Sequence, residues 1–476
     1  MTYKKILIYC ALIYLVILFI AWFVQDSQLD QELDIKLEKE YVMHKGLNNI
    51  PEFHLMGINA QYDSVIPAYG KTKYYQGWSE YYAYLHGALE LMMEQIREDI
   101  FIDEKLVSDV QSVLKSWDQI YFVDLPSDPT QRQDSSQMSF DQQIDHLITS
   151  HEPQLKKLKS RQLIYRNALI QEPRILYDFG NEIQVAHTLK VLHLMSLDHM
   201  LKSSISQQAK LNELHQYFND LQRWYAKCTH QEMCKFYLNA LSDTLDLIVL
   251  QVNPETSVKQ IDIQPISPLH SILERLYLNE TATLRLTLHM IASPELYKKG
   301  DQLAEENPDM IDSKSRHLLK WVVQPMMRIL VLHNDSANFY WHKHKTMLDL
   351  SELAPDEITA HGPIKYDIPN KFYTPKNLIG KITAWLTDDM EYAVVAHHKV
   401  LQKIELINLW QSNGYKLKFE AWKNRPSYIF KNNHNQICRS NPIFEYFLAY
   451  EVQVRPQCIG EIGIINQEKN LFNFIH

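Results

Sequence analysis

The sequence predicts a mainly α-helical protein. It begins with one N-terminal transmembrane helix, followed by a multi-helix antiparallel ectodomain with a small β element near the C-terminus. Three observations predict this. Residues Ile6 to Val24 are apolar and carry no charge. Apolar residues then recur at three- and four-residue steps through most of the chain. Only 12 glycines occur in 476 residues, too few for a turn-rich β-sandwich.

The first stretch reads ILIYCALIYLVILFIAWFV. As a helix it would cover roughly 29 Å, about the hydrocarbon thickness of a bilayer. Tyr9 and Trp22 lie towards its ends, where amphipathic rings favour the interface. Lys4 and Lys5 precede it, and the residues from Gln25 to Asp34 carry acids and no base. The positive-inside rule then places the N-terminus in the cytoplasm and the rest outside. A cleaved signal peptide is the rival reading. It is disfavoured because the apolar run exceeds the usual length and no small-residue cleavage site follows Trp22, Phe23 and Val24. The bilayer, contacted through residues 6–24, is therefore the first expected partner.

Beyond this stretch the chain divides into a membrane-proximal linker (26–76), a helical ectodomain (77–411) with a sub-boundary at the polar 126–139 loop, and a β-containing portion (412–476). Residues 1–25 hold the cytoplasmic tip and the span. Hydrophobic content of 46% is ample for a packed core. A formal charge of −9 without a basic run argues against nucleic acid as a partner.

In order, Leu29 to Leu47 reads as a short helix or linker, and Ile50 to Gln76, with Pro51, Gly57, Pro67 and Gly70, as irregular. Helical spacing begins at Trp78 and returns near Leu106 to Trp117 and Gln142 to Thr149. It is clearest from Leu211 to Tyr225, where Leu211, Leu214, Phe218, Leu221 and Trp224 form one stripe. Phe236 to Val252 repeats the pattern, and Asn253-Pro254 ends it. Ile261 to Pro268 is a loop. Helices are expected over Leu269 to Ile291, Leu318 to Leu332 and Leu378 to Trp410, with Asn334 to Lys371 irregular. Tyr415 to Trp422, Ser427 to Lys431 and Ile443 to Val454 are rich in β-branched and aromatic residues and read as strands.

Four cysteines lie outside the first stretch: Cys228, Cys234, Cys438 and Cys458. An even number in an oxidising compartment suggests disulfides, paired by proximity as Cys228–Cys234 and Cys438–Cys458. Six residues in one straight helix would separate two cysteines by ~9 Å along the axis, beyond disulfide reach. A Cys228–Cys234 bridge therefore requires a bend between two helices.

Nucleotide-binding, nucleophile-elbow and zinc-protease signatures are absent from the sequence, and no cofactor or metal site is expected. The catalytic candidates are His86, Glu90 and Glu94, whose spacing of four puts them on one helix face, where an acid and a base could work together. A solvated face explains them more simply. Trp78, Tyr81, Tyr82 and Tyr84 surround them and could form a binding platform, or ordinary helix packing. A second aromatic group spans Phe339 to His344. Its His-x-His is more simply a pair of surface histidines than part of a metal site. His187, His193 and His199 recur every six residues and share no helix face.

Three stretches resemble a family of single-span envelope proteins of Gram-negative bacteria: His54 to Ala60, the Leu211 to Val252 helix pair, and Asn377 to Lys381 with the helix that follows. The resemblance implies an inner-membrane protein with a periplasmic domain. It carries no activity. The expectation is a binding or scaffolding role with an envelope partner; a tethered hydrolase using Glu90 and Glu94 is the alternative.

Overall fold

The computed structural model describes residues 25–44, 51–56, 102–121, 140–173, 182–251, 261–292, 331–352 and 391–413, three strands at 429–431, 437–439 and 457–459, and scattered positions within 12–16, 58–71 and 377–382. Eleven helices lie in these residues. The first six are α1 (Gln31–His44), α2 (Pro51–Met56), α3 (Glu104–Tyr121), α4 (Phe140–Ser150), α5 (Glu152–Ile170) and α6 (Glu182–Lys202). They are followed by α7 (Gln207–Tyr225), α8 (Gln231–Gln251), α9 (Leu269–Ala292), α10 (His333–Ser351) and α11 (Glu391–Ser412).

The central element is α8. Met233, Phe236, Tyr237, Leu238, Ala240, Leu241, Leu245, Leu247, Ile248 and Val249 are all buried. These positions span about 220° of the helix, and Ser242, Asp243 and Asp246 on the remaining side are buried too, the mark of a helix enclosed by others. It packs against α3, α6, α7 and α11. The turn into it is fixed by Cys228 and Cys234, which form a disulfide with Cα atoms 5.6 Å apart. Cys228 lies in the bend after α7 and Cys234 in the first turn of α8, the geometry that their spacing demands. The stripe of α7 faces inward as expected: Leu211, Leu214, Phe218, Leu221, Trp224 and Tyr225 are buried. Ser206 caps this helix, its hydroxyl accepting from the Ala209 amide at 3.3 Å.

A second layer is the hairpin of α9 and α10. His270 meets Leu348 and Ser351, Tyr277 meets Tyr340 and His344, and Arg285 meets Asn334. The two helices are therefore antiparallel. The sequence reading of Asn334 to Lys371 as irregular is corrected here, because α10 occupies its first part. Its inward stripe is Ala337, Tyr340, Trp341, His344 and Leu348, at helical spacing but built largely from aromatic rings. The stretch Leu29 to Leu47 takes its helical alternative as α1, and the irregular reading of Ile50 to Gln76 is corrected at its start by α2. Leu33, Leu37, Leu55 and Ile58 of these two stretches belong to the common hydrophobic core.

Three antiparallel strands, β1 (Ile429–Lys431), β2 (Ile437–Arg439) and β3 (Gln457–Ile459), form a sheet in that order. Strands β2 and β3 lie against α11. Cys438 stands directly opposite Cys458 in the register. The segments 415–422 and 443–454 lie outside the described residues.

Among the described residues no helix is long and apolar enough to cross a membrane. The stretch Ile6–Val24 lies outside them except at four positions. Those four, Leu12, Ile13, Leu15 and Val16, are helical and 53–60% exposed.

Candidate functional site

His86, Glu90 and Glu94, with Trp78, Tyr81, Tyr82 and Tyr84, lie outside the described residues. The second aromatic group sits on α10. Two residues apart on a helix are rotated by ~200°, so His342 and His344 point apart. His342 is exposed and lies 3.5 Å from Asp30. His344 is buried, stacked on Tyr277 with ring centroids 4.2 Å apart. Surface histidines thus account for His342 only. Burial, with the Lys343 charge next, holds the His344 imidazole well below its ordinary range. Of the α6 histidines, His193 is buried, His187 half-buried and His199 exposed, as their spacing requires. Among the described residues no three His, Cys, Asp or Glu side chains gather as metal ligands would.

The site that the structure does assemble is polar and interior. His193 of α6 lies between two helices. Its Nε2 is 3.5 Å from the Asp243 carboxylate of α8, and its Nδ1 is 2.8 Å from the Tyr217 hydroxyl of α7. The Tyr217 hydroxyl lies 2.9 Å from that of Tyr165 on α5. Asp243 lies within ion-pair reach of Nε2 without a hydrogen bond to it, so the hydrogen-bonded chain runs from Tyr165 through Tyr217 to the His193 Nδ1. One chain of hydrogen bonds so joins α5, α7 and α6, with the Asp243 carboxylate of α8 facing the other ring nitrogen. Burial pushes both phenols above their ordinary range, which keeps them as donors. Arg166 lies over the Tyr217 ring at 5.1 Å and pairs with Glu213 at 3.1 Å.

A second buried contact leaves α8 on a neighbouring side. Lys403 of α11 donates to Asp246 at 2.6 Å and to Ser242 at 2.8 Å. Nearer the start of α11, His397 accepts from the Tyr225 hydroxyl at 2.8 Å. Burial, then the neighbouring His398, holds the His397 imidazole well below its usual range, which leaves Nδ1 available as an acceptor. On the α2 side, Arg161 donates to the carbonyls of Ile58 and Ala60, and Thr188 donates to Asn59 at 2.5 Å. These side chains are all buried. What they can do is fix helix register. Each helix surface would bury a bare polar atom if it slid, and such an atom costs about 1–3 kcal/mol. The sequence signal was Lys403 within the apolar stripe of α11, a cation that needs a buried partner such as the acids on the polar side of α8.

A third polar site lies where the chain leaves the apolar stretch. Both carboxylate oxygens of Asp26 accept backbone amides at the start of α10, Asn334 and Asp335, each at 3.0 Å. His333 lies 3.2 Å from the same carboxylate. Asn338 accepts from the Asp30 amide at 2.7 Å and donates to the Gln28 carbonyl at 2.8 Å. Lys345 pairs with Glu32 at 3.2 Å, and Lys36 pairs with Glu274 of α9 at 2.6 Å, above the Trp341 ring. On the surface, an open groove of about 590 Å3 runs between the 261–268 loop and α11, with Pro265, Leu401, Ile404 and Leu409 among its walls and Asp262 and Glu405 beside them.

No family model, curated protein or solved structure matches this chain.

Proposed function

We propose that this is a single-pass protein of a bacterial inner membrane whose helical body lies on the periplasmic side and serves as a binding or scaffolding partner in the envelope. One observation carries the reading. The residues directly after Ile6–Val24 are stitched to α9 and α10 by at least six polar contacts from Asp26 to Lys36. An apolar stretch joined so tightly to a folded body suits an anchor that is retained. The bare apolar side chains at positions 12, 13, 15 and 16 agree with a lipid environment. The Cys228–Cys234 disulfide and the facing of Cys438 by Cys458 suit an oxidising compartment. We take the second pair as bonded too. The hydrolase alternative rests on Glu90 and Glu94, for which there is no described geometry.

A C-terminal alkaline phosphatase fusion tests the placement. It is expected to be active, and an inactive fusion in cells that make the full-length chain would sink the periplasmic reading. For the role, crosslinking in intact membranes is expected to yield a stoichiometric adduct with an envelope protein. Recovery of only the uncrosslinked chain would count against scaffolding.

A further inference from the structure

The contacts from Asp26 to Glu32 advance along α10 in chain order. Asp26 meets Asn334 and Asp335, Gln28 meets Asn338, Asp30 meets Asn338 and His342, and Glu32 meets Lys345. The strap therefore runs parallel to α10, starting at its first turn. Helix α9 runs the other way, with Arg285 and His289 beside Asn334 and His333. The start of α10 and the end of α9 thus form one pole of the hairpin. Asp26 lies at that pole, two residues after Val24, a distance of at most ~7 Å. The 24 residues of α9 rise ~36 Å from there to the opposite pole. That pole carries the 261–268 loop and, with α11, the groove.

We propose that the body stands on the membrane in one orientation, with the α9-end and α10-start pole against the phospholipid headgroups. The inference rests on the anchoring reading above and adds a direction to it. A flexible linker of this length would let the body reorient freely. The strap prevents this in three ways. Asp26 closes the first turn of α10 with both oxygens, Asn338 holds backbone atoms on both sides of Leu29, and Leu33 and Leu37 of α1 are buried in the core. The groove is consequently held far from the bilayer.

The test uses the full-length chain in phospholipid nanodiscs containing a headgroup spin-labelled lipid. A fluorescent amino acid replaces either Thr287, exposed near the end of α9, or Gln264, exposed in the far loop. Severalfold stronger quenching is expected at position 287 than at 264. Equal quenching, or stronger quenching at 264, overturns the orientation. Flotation with vesicles, run in parallel, reads the anchor alone. A chain that does not float refutes the anchoring reading, whereas one that floats without the quenching difference refutes only the orientation. Asp26→Ala should still float yet lose much of the difference. An undiminished difference would show that the Asp26 hold does not set the orientation.

Discussion

Around α8 the polar contacts between helices are dry. The side chains of Lys403 and Asp246 are at most 1% exposed. Along α10 the strap contacts are reached by solvent to varying degree: Lys345 and Glu32 are each 47% exposed, His342 52% and Asp26 21%. Both sets join residues far apart in sequence, and both are made of ordinary ion pairs and hydrogen bonds. Their energetics differ because solvent can replace a lost partner in one place and not in the other. An exposed pair contributes about 0–1 kcal/mol. A buried charge that loses its partner costs several times that. The interior contacts therefore decide whether the helices pack in this register at all. The polar contacts of the strap decide how the chain's first residues sit against α10.

The largest expected effect follows from the buried pair. Lys403→Met should destabilise the protein by about 3–5 kcal/mol, because Asp246 is left charged in the core. The double variant Lys403→Met with Asp246→Leu should recover much of that loss. Thermal unfolding of the full-length chain in detergent measures both. Equal losses in the single and double variants would mean that the two residues are not energetically coupled, and the contrast between dry and wet contacts would collapse.

The middle of the hydrogen-bonded chain comes next. Tyr217→Phe removes the hydroxyl that His193 and Tyr165 share, and should cost about 1–3 kcal/mol. Tyr165→Phe removes only the end of the chain and should cost less, about 1 kcal/mol. The same unfolding measurement ranks them, and a reversed order would refute Tyr217 as the shared middle of the chain.

His397 turns the dry region into a pH dependence. Burial holds its imidazole well below its ordinary range in the folded protein. In the unfolded chain it titrates near ~6.5. Below that pH the unfolded state takes up a proton that the folded state refuses, so stability falls as the medium is acidified. The slope approaches ~1.4 kcal/mol per pH unit for one such histidine. His397→Gln keeps an acceptor for the Tyr225 hydroxyl and removes the titration. The variant's unfolding profile between about pH 7 and 5 should be flatter than the parent's; parallel profiles would show that His397 does not contribute.

The sequence made the inward stripes of α7 and α8 readable because Leu, Ile and Phe recur at helical steps. The bend at Cys228 and Cys234 followed from distance alone. Helix α10 was not readable. Asn334, Asp335 and Ser336 favour turns and helix starts equally, since their short side chains bond nearby backbone, and Tyr340, Trp341 and His344 do not register as an apolar stripe. The polar interior was hidden for a different reason. Asp246 is visible in the sequence, but its partner lies 157 residues away, and no local pattern links them. The strap was hidden likewise: Asp26 looks like a solvated acid until Asn334 is placed beside it. The proposed catalytic group around Glu90 came from spacing alone, and spacing fixes a helix face without fixing what lies opposite.

The smallest effect belongs to the strap and separates the two regions most directly. Asp26→Ala removes the acceptor for two amides at the start of α10, a capping loss of about 1 kcal/mol. Water can reach those amides in part, since Asn334 and Asp335 are half-buried. The His333 ring loses its nearby carboxylate as well. Burial and the Arg285 charge hold this imidazole down, and Asp26 opposes them. In the variant it should titrate lower still, which NMR of a selectively labelled histidine would read. Asp26→Asn should retain an acceptor and fall between the variant and the parent in stability. A loss in Asp26→Ala as large as that in Lys403→Met would place the strap energetically within the core. A loss near 1 kcal/mol, with the helical circular dichroism signal intact, would establish it as an attachment that can be released while the body stays folded.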